Sequence, residues 1–492
     1  MQGTRAAILV RHADAYATPL VSLLSYFTAE GPKLFPGRLS CADAMSDSFA
    51  IQGGRDVVGE IAVSGSKNAS LALIAAALLA SGRSALEDCP RISDITSLTQ
   101  IMSYLGVEST RIASTLHIDV TNLQRHSIPA VLSTKLRASI LLLGVLLARL
   151  GHAKIALPGG CKLGERSIEE HLKGLEALGA QIRVGEFIEA SVPPPGLHGA
   201  VITLKTPTVL GTGNIMMAAC LARGTTHIVN AAREPEVVDL ARCLVGMGAE
   251  ITGLGTSVLV IHGRDTLHPY KYKVMEDRIE GGTFLILGAM CGNPLTVHGC
   301  HAGHQKELLK LLRAVGAKID VQGRSIVVWR ATAPAAIEFQ TGPYPSFPTD
   351  LQPQLMALLA TAKGVSQITE TVFDQRFNQV PSLRAMGASI SLDGANAAVY
   401  GAGGLSGAIV TATDLRAGAS LVLAAIAAPG LSIVHKVENI DRGYENLEHK
   451  LRAIGVSIRR LQANPTVKIN SHSIVVNGAA VACPDKNNTE AR

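Results

Sequence analysis

The chain has 492 residues, 47% of them hydrophobic and only 17% charged, so it can form several domains with large buried cores. Its longest apolar runs fall short of the roughly 20 residues that a membrane-spanning helix needs. Its net charge of +6 comes without a basic block interleaved with aromatics. These features argue against a membrane protein and a nucleic-acid-binding protein, and they are compatible with small anionic substrates. The eight cysteines contain no C-x-x-C pair, which argues against a zinc site and predicts free thiols in a reducing cytoplasm.

Residues 1–45 differ from the rest of the chain, because they contain basic residues and few acidic ones. Met45 directly precedes the first regular apolar pattern. We predict that residues 1–45 form a disordered N-terminal extension, or that they reflect a start codon assigned too far upstream. A transit peptide, which would have a similar composition, is the alternative.

The rest of the chain repeats one pattern six times. An L/M/V/I-G-A/V tripeptide marks the end of a helix and the start of a strand, with glycine in the position that favours a left-handed helix cap. Successive glycines are 68 to 73 residues apart, at positions 106, 179, 248, 316, 387 and 455. A second series of Ala/Leu-rich helices ends near Gly82, Gly151, Gly224, Gly292, Gly364 and Gly430. Two marks with one period predict six modules of strand, helix, strand, helix and two strands.

Six modules of this size predict two domains of three modules, with a boundary near Asp277. A strand over residues 60–63 precedes the first helix, and we expect it to pair into the opposite domain.

The stretch LPGGCKLGER, residues 157–166, places Cys161 on a loop between an apolar strand and a helix. Its glycines allow the loop to bend. Lys162 and Arg166 lie close to the thiol in sequence, and nearby cations lower thiol pKa values. Taken by itself, a lone cysteine of this kind is more often a structural thiol on an ordinary turn.

Cations recur where the first helix of a module begins, at Lys67, Arg137, Arg278 and Arg416. A positive charge there opposes the helix dipole, so a pattern that repeats in four modules indicates a function. We expect these residues to line an anion-binding cleft, although solvated arginines would give the same pattern. Asp350 and Asp414 stand among the cations. A carboxylate such as Asp350 can accept a proton from a hydroxyl, whereas Asp414 fits a helix cap or an ion-pair partner.

Seven motifs in the same order resemble those of the UDP-N-acetylglucosamine 1-carboxyvinyltransferase family. They are SGSKNA (64–69), LPGGCKLGER (157–166), NAAREPEVVD (230–239), FPTDLQPQ (347–354), TETVFDQRF (369–377), TDLRA (413–417) and IDRGYE (440–445). The resemblance implies an α/β fold, a two-domain inside-out α/β barrel of six βαβαββ repeats. It also implies a first domain of residues 67–275, a second domain of 46–66 plus 276–478, and a C-terminal tail of 479–492.

The resemblance further implies transfer of the enolpyruvyl group of phosphoenolpyruvate to the 3-hydroxyl of UDP-N-acetylglucosamine in the cytoplasm, as the first committed step of peptidoglycan precursor synthesis. Cys161 would donate a proton to C3 and be the target of fosfomycin, and Asp350 would accept the hydroxyl proton, with Lys67 and Arg442 also catalytic. The implied phosphoenolpyruvate contacts are Lys67, Asn68, Cys161, Arg166, Asp414, Arg416 and Arg442. The implied UDP-sugar contacts are Arg137, Arg166, Ser167, Ile168, Glu169, Glu170, His171, Ser191, Val192, Asp350, Val372 and Phe373. No metal, organic cofactor, nucleic acid or membrane is implied.

Three departures from the family pattern fall on the nucleotide side of the implied site. Ser167–Ile168–Glu169–Glu170 stands where the family often has Pro-Val-Asp-Leu, and Glu189 and Ser93 stand at positions where family members carry lysine. Two alternatives therefore stay open: an enolpyruvyl transferase with another nucleotide or sugar acceptor, and a non-catalytic binding paralogue.

The composition of residues 1–45 generates a first prediction. A chain that begins at Met45 should give the same yield of soluble protein and the same turnover as the full chain. Expression followed by an assay of phosphate release checks this, and loss of soluble protein on truncation would refute it.

Overall fold

A computed structural model describes residues 46–157, 159, 167–401 and 403–463, together with the backbone of three short strands between 468 and 482. The N-terminal extension lies outside the described residues, as do Cys161 and Arg166. Among the described residues, no helix combines the length and the apolar composition needed to cross a bilayer.

The described elements alternate along the chain, mostly as strand, helix, strand, helix and two strands. The helices are α1 (Lys67–Ala77), α2 (Ser93–Leu105), α3 (Ala130–Ser133), α4 (Leu141–Leu150), α5 (Glu169–Ala177), α6 (Val209–Ala219), α7 (Pro235–Gly246), α8 (Arg278–Cys291), α9 (Lys306–Val315), α10 (Gln352–Leu359), α11 (Val380–Ala385), α12 (Leu415–Ala427) and α13 (Leu447–Ala453). Single 3-10 turns cover Arg137–Ile140, Ala302–Gln305, Thr349–Leu351 and Val437–Asn439.

The strands are short and lie in small sheets. They are β1 (Ser48–Gly53), β2 (Val57–Ala62), β3 (Arg83–Glu87), β4 (Glu108–Ile112), β5 (Thr115–Asp119), β6 (Ser127–Ile128), β7 (His152–Ala156), β8 (Gln181–Val184), β9 (Phe187–Ser191), β10 (Val201–Thr203), β11 (Thr225–Val229), β12 (Glu250–Thr252), β13 (Val258–His262), β14 (Lys271–Lys273), β15 (Gly292–His298), β16 (Lys318–Gln322), β17 (Ser325–Trp329), β18 (Glu338–Gln340), β19 (Val365–Thr369), β20 (Ser389–Asp393), β21 (Asn396–Tyr400), β22 (Ile409–Thr411), β23 (Gly430–His435), β24 (Ser457–Leu461), β25 (Lys468–Asn470), β26 (Ser473–Val476) and β27 (Ala479–Ala482).

In the described part of the chain, six sheets have four strands each, which confirms the six predicted modules. The sheet β6-β7-β9-β8 shows the common pattern. Its strands β6 and β7 are parallel and flank α4, whereas β9 pairs antiparallel with both β7 and β8. The remaining strands, β25 to β27, form a separate antiparallel meander.

Three of the six sheets are completed by strands that lie far away in sequence. Strand β14 pairs in parallel with β3, and β2 pairs in parallel with β15. Strand β1 lies between β23 and β24 and is antiparallel to both. The strand expected at residues 60–63 therefore does pair with the second half of the chain, although it begins at Val57 and ends at Ala62.

Helices occupy the interior of each half of the molecule, and sheets cover them. Helices α1, α4 and α6 contact one another, as do α8, α10 and α12. Ten of the 11 residues of α1 are buried, which explains why these helices are rich in Ala and Leu on every face. Gly144 of α4 is required by this packing, because a Cβ there would collide with Asn214 of α6. The protein is thus an inside-out α/β barrel.

The buried hydrophobic residues form two clusters. One consists of residues between 69 and 274, and the other of residues 49–61 and 279–458. We propose that each cluster is the core of one domain, with boundaries at 66/67 and 275/276; these are called the first and second domain below.

Two antiparallel chain segments connect the domains and are joined by backbone hydrogen bonds and by the carboxylate of Asp277. The amide of Ser66 donates to the carbonyl of Met275 at 2.7 Å, and Asp277 N donates to Ser64 O at 2.9 Å. Asp277 Oδ1 caps α8, and its Oδ2 accepts the backbone amide of Lys67 at 2.9 Å. The buried Asp277 therefore bonds the first turns of α1 and α8, one helix from each domain.

Asp277→Ala should lower the free energy of unfolding, because it removes hydrogen bonds at the starts of both helices. The lost helix cap accounts for about 1–2 kcal/mol, and the Lys67 amide left without an acceptor accounts for roughly 1–3 kcal/mol. Urea denaturation measures the difference. Replacing the exposed Asp265 with alanine is the matched control and should leave stability nearly unchanged; an equal loss in both variants would contradict this account.

Candidate active site

Three charged side chains meet where the two domains touch. Lys67, the first residue of α1, places its Nζ 2.7 Å from Asp94 Oδ2. Arg442, on the loop after β23, donates from Nε to Asp94 Oδ1 at 2.9 Å and from Nη2 to Oδ2 at 3.4 Å. Asp94 lies in the first turn of α2, and its side chain is 6% exposed. One buried carboxylate of the first domain therefore pairs with a cation from each domain.

The electrostatics of this cluster favour an anionic ligand. Burial lowers the pKa of Lys67, and Arg416 and Arg442 lower it further, against the opposing effect of Asp94. For Asp94, burial acts to raise the pKa, but Lys67 and Arg442 outweigh it and hold the pKa below its ordinary value. Two cations share one carboxylate, so the cluster has a surplus positive charge that an anion can neutralise.

Asp350 lies in a second charged cluster, formed within the second domain. Its Oδ1 accepts a bond from Arg376 Nη2 at 2.7 Å, and its Oδ2 accepts one from Arg416 Nη2 at 3.1 Å. The two arginine side chains are 2% and 5% exposed, whereas that of Asp350 is 28% exposed. Burial acts to lower the pKa of Arg416, but Asp350 outweighs it and raises the pKa above its ordinary value. The buried arginines therefore hold a partly accessible carboxylate in its ionised form.

Glu370 bonds the residue that precedes Asp350, and the sequence had not identified Glu370 as part of the site. Its Oε2 accepts the hydroxyl of Thr349, the neighbour of Asp350, at 3.0 Å. Its Oε1 accepts the backbone amides of Val372 and Phe373 at 2.9 and 3.2 Å. Glu370 thus fixes two of the predicted nucleotide contacts beside Asp350. The only sequence signal was a carboxylate directly after a strand, within the motif TETVFDQRF.

The remaining predicted phosphoenolpyruvate contacts take different positions. Asp414 caps α12, since its Oδ1 accepts the amides of Arg416 and Ala417 at 3.0 and 3.1 Å. This is one of the two structural roles that the sequence left open for Asp414. Asn68 follows Lys67 in α1 and is half-buried. Arg278, another cation at a helix start, donates from Nε to both oxygens of Glu236 in the first domain, at 3.0 and 3.1 Å.

The loop that carries Cys161 begins after β7 and ends at α5, and the described residues include its two ends and Gly159. Leu157 is 46% exposed. At the other end, Ser167 Oγ accepts the backbone amide of Glu169 at 3.1 Å, where α5 begins beside Ile168. The roles predicted for Cys161 and Arg166 lie outside the described residues.

The carboxylates that depart from the family pattern all have local partners. Glu169 pairs with Lys173 at 2.6 Å, and Glu189 pairs with Lys154 at 2.5 Å. Glu170 Oε2 accepts the backbone amide of Lys205 at 2.9 Å, a contact that the sequence did not predict. The charges of Glu169 and Glu189 are therefore paired with lysines, whereas Glu170 bonds a neutral amide.

The other predicted nucleotide contacts lie on different elements of the fold. Arg137 begins a 3-10 turn before α4, and the buried His171 bonds Asn214 through Nδ1 at 3.1 Å. Ser191 lies opposite His152, whereas Ala156, which precedes the cysteine loop, lies opposite Phe187. The fold therefore separates Ser191 and its neighbour Val192 from the start of the loop by about 13 Å along the strand.

A family model and individual proteins similar to this chain all describe carboxyvinyltransferases. The model of the family described as EPSP synthase (3-phosphoshikimate 1-carboxyvinyltransferase) matches residues 51–451. A protein of Anaeromyxobacter sp. (strain Fw109-5) is 47% identical over 421 residues, covering 85% of this chain and all of that protein. One from Gluconacetobacter diazotrophicus is 45% identical over 421 residues, with the same coverage. Both are named UDP-N-acetylglucosamine 1-carboxyvinyltransferase.

Solved structures agree with this fold. The enolpyruvyl transferase NikO from Streptomyces tendae superposes with a TM-score of 0.77 at 27% identity, over 85% of this chain and 100% of its own. An EPSP synthase from Acinetobacter baumannii gives a TM-score of 0.65 at 18% identity, with the same coverage. At that identity the second likeness concerns the fold alone.

Asp94→Asn should destabilise the protein strongly, because it leaves Lys67 and Arg442 without their shared counter-ion. Removing one partner of a buried ion pair costs about 3–5 kcal/mol, which denaturation near neutral pH measures. Since the folded-state pKa of Asp94 is lowered, its stabilisation is complete above the ordinary carboxyl pKa and is lost as pH falls through the lowered value. The difference between the two proteins should therefore shrink in acid.

The matched control is Asp119→Asn, which breaks the ion pair with Arg83, whose side chain is 87% exposed. Solvent and salt screen such a pair, so the loss should be much smaller. Equal losses at Asp94 and Asp119, or a difference that does not change with pH, would contradict the proposed burial of charge at Asp94.

Proposed function

This chain belongs to the UDP-N-acetylglucosamine 1-carboxyvinyltransferase family, and we propose that it transfers the enolpyruvyl group of phosphoenolpyruvate to the 3-hydroxyl of UDP-N-acetylglucosamine. The observation that supports this most directly is the cluster of Lys67, Asp94 and Arg442, which has surplus positive charge where the domains meet. Phosphoenolpyruvate carries a phosphate and a carboxylate, and both are anions that such cations bind. The reaction would open peptidoglycan precursor synthesis.

The substrate is held by charge-assisted hydrogen bonds. Lys67 and Arg442 receive the phosphate and the carboxylate of phosphoenolpyruvate, with Arg166 completing the set in the resemblance to the family. An anion placed there neutralises the excess charge around Asp94. Each charge-assisted bond is worth about 1.5–3 kcal/mol, so a few of them suffice for micromolar to millimolar binding.

The chemistry proceeds by addition and elimination. The 3-hydroxyl oxygen attacks C2 of phosphoenolpyruvate while C3 gains a proton, and a tetrahedral ketal forms. The ketal then loses a proton from C3 as the bond between C2 and the phosphate oxygen breaks. The products are the enolpyruvyl ether and inorganic phosphate, and no redox partner is needed.

Asp350 accepts the proton of the attacking hydroxyl. Its ion pairs with Arg376 and Arg416 hold it ionised, and its partial exposure leaves an approach for the sugar. General-base catalysis requires an ionised carboxylate in a fixed position. Glu370 contributes by holding both Thr349 and the amide of Val372.

Cys161 donates the proton to C3, as the family resemblance implies. Domain closure would carry the glycine-rich loop over the bound substrates and exclude water. Closure also controls protonation, because Lys162 and Arg166 would otherwise favour the thiolate. The described cysteines are all free thiols, which supports a location in the reducing cytoplasm.

Release of phosphate from phosphoenolpyruvate, measured with and without UDP-N-acetylglucosamine, tests the proposal. We expect release only when the acceptor is present. Release with a different nucleotide sugar alone would identify another acceptor, and no release with any acceptor would identify a non-catalytic binding protein. Either result would overturn the proposed function.

Replacement of Cys161 separates its roles. Cys161→Ala should abolish turnover and alkylation by fosfomycin while leaving substrate binding nearly intact, because the thiol acts in the chemical step. Cys161→Asp should restore a proton donor but offer no thiol, and so give an active enzyme that resists fosfomycin. Turnover assays and mass spectrometry of the treated protein measure both effects. Full activity in Cys161→Ala would remove the cysteine from the mechanism.

A further inference from the structure

An arginine outside the site bonds the residue that precedes Arg442 in the chain. Arg460, on β24, forms a two-point ion pair with Asp441: Nη1 to Oδ2 at 2.9 Å and Nη2 to Oδ1 at 2.7 Å. Its Nε donates to Glu448 Oε1 at 3.0 Å. A bidentate pair of this kind fixes orientation as well as distance. Asp441 is the residue immediately before Arg442, so the position of Asp441 fixes the position of the Arg442 backbone.

The other side of Asp441 is attached to the first domain. Its carbonyl oxygen accepts the backbone amide of Ser93 at 3.1 Å. Ser93 is the first residue of α2 and precedes Asp94, the partner of Arg442. Asp441 is therefore held by Arg460 on one side and by the start of α2 on the other. The residue before Arg442 and the residue before Asp94 are thus joined by a backbone hydrogen bond.

The segment where the described chain begins belongs to the same assembly. Asp47 Oδ2 accepts a bond from Arg460 Nη1 at 3.3 Å, and Asp47 O accepts the amide of Val437 at 3.2 Å. The guanidinium of Arg460 lies 4.9 Å from the ring centre of the buried Phe49. We call Asp47, Asp441, Glu448 and Arg460 the Arg460 clamp.

We propose that Arg460 is a positioning residue for phosphoenolpyruvate, acting on Arg442 through Asp441. The inference rests on the proposed function of Arg442. Arg460 is a cation that pairs with all three surrounding carboxylates. Without it, the negative charge of Asp441 would lie uncompensated beside Arg442. That charge would draw Arg442 away from Asp94 and repel the anionic substrate, whereas the nucleotide sugar makes no contact with this loop in the proposed site.

The test compares Michaelis constants for the two substrates in Arg460→Gln and Asp441→Asn. In Arg460→Gln we expect the KM for phosphoenolpyruvate to rise about tenfold or more, since small displacements of a binding group have effects of this size. The KM for UDP-N-acetylglucosamine should stay within about twofold. The double variant Arg460→Gln/Asp441→Asn should recover part of the affinity, because it removes the freed carboxylate. Such coupling is typical of residues in direct contact.

Arg459 provides the matched control, because it is the exposed neighbour of Arg460 on the same strand. Arg459→Gln removes the same charge and should leave both constants unchanged. Asp441→Asn keeps the shape of the side chain, so it tests the clamp even if Arg460→Gln does not fold. In Asp441→Asn the KM for phosphoenolpyruvate should also rise, because Arg460 loses its bidentate partner.

Equal increases in both Michaelis constants, or no recovery in the double variant, would show a merely structural role and overturn the proposal. Arg442→Gln serves as the reference. If Arg442→Gln raises the KM for phosphoenolpyruvate and Arg460→Gln does not, the positioning role of Arg460 is wrong while the proposed function of Arg442 is retained. If Arg442→Gln has no effect, the assignment of Arg442 is wrong and the clamp falls with it.

Discussion

The buried carboxylate of Asp94 holds together two cations that would otherwise repel each other. Lys67 comes from the start of α1 and Arg442 from the far end of the chain, and both bond Asp94 within 3 Å. Burying charge is costly unless each charge has a partner, so this contact is stable only when the two domains meet. The proposed anion-binding site therefore depends on the contact between the two proposed domains.

The repeated architecture explains why such cations stand at helix starts. Helices α1, α8 and α12 lie in the domain interiors, so their first turns are the places where polar groups reach the interface. A cation there opposes the helix dipole, and aspartates compensate. Asp277 bonds the first turns of α1 and α8, and Asp414 caps the helix that carries Arg416. The unfavourable interaction between these cations and the helix dipoles is thus offset by neighbouring carboxylates.

Local signals in the sequence predicted the features that depend on local structure. The glycine caps predicted the six modules, and for Asp414 the sequence left a helix cap and an ion-pair partner open. Contacts between distant residues had no such signal. Asp94, Glu370 and the bidentate pair of Arg460 became visible only in the fold, because their partners lie elsewhere in the sequence.

The central claim is that Lys67 and Arg442, arranged by Asp94, bind the anionic groups of phosphoenolpyruvate. Calorimetric titration of phosphoenolpyruvate into Cys161→Ala, which binds without turnover, and into Cys161→Ala/Lys67→Gln, both saturated with UDP-N-acetylglucosamine, tests it most directly. The account predicts that Kd for phosphoenolpyruvate rises at least about tenfold, or ~1.4 kcal/mol, while Kd for the nucleotide sugar does not change. An unchanged Kd for phosphoenolpyruvate in a folded Cys161→Ala/Lys67→Gln protein would contradict it.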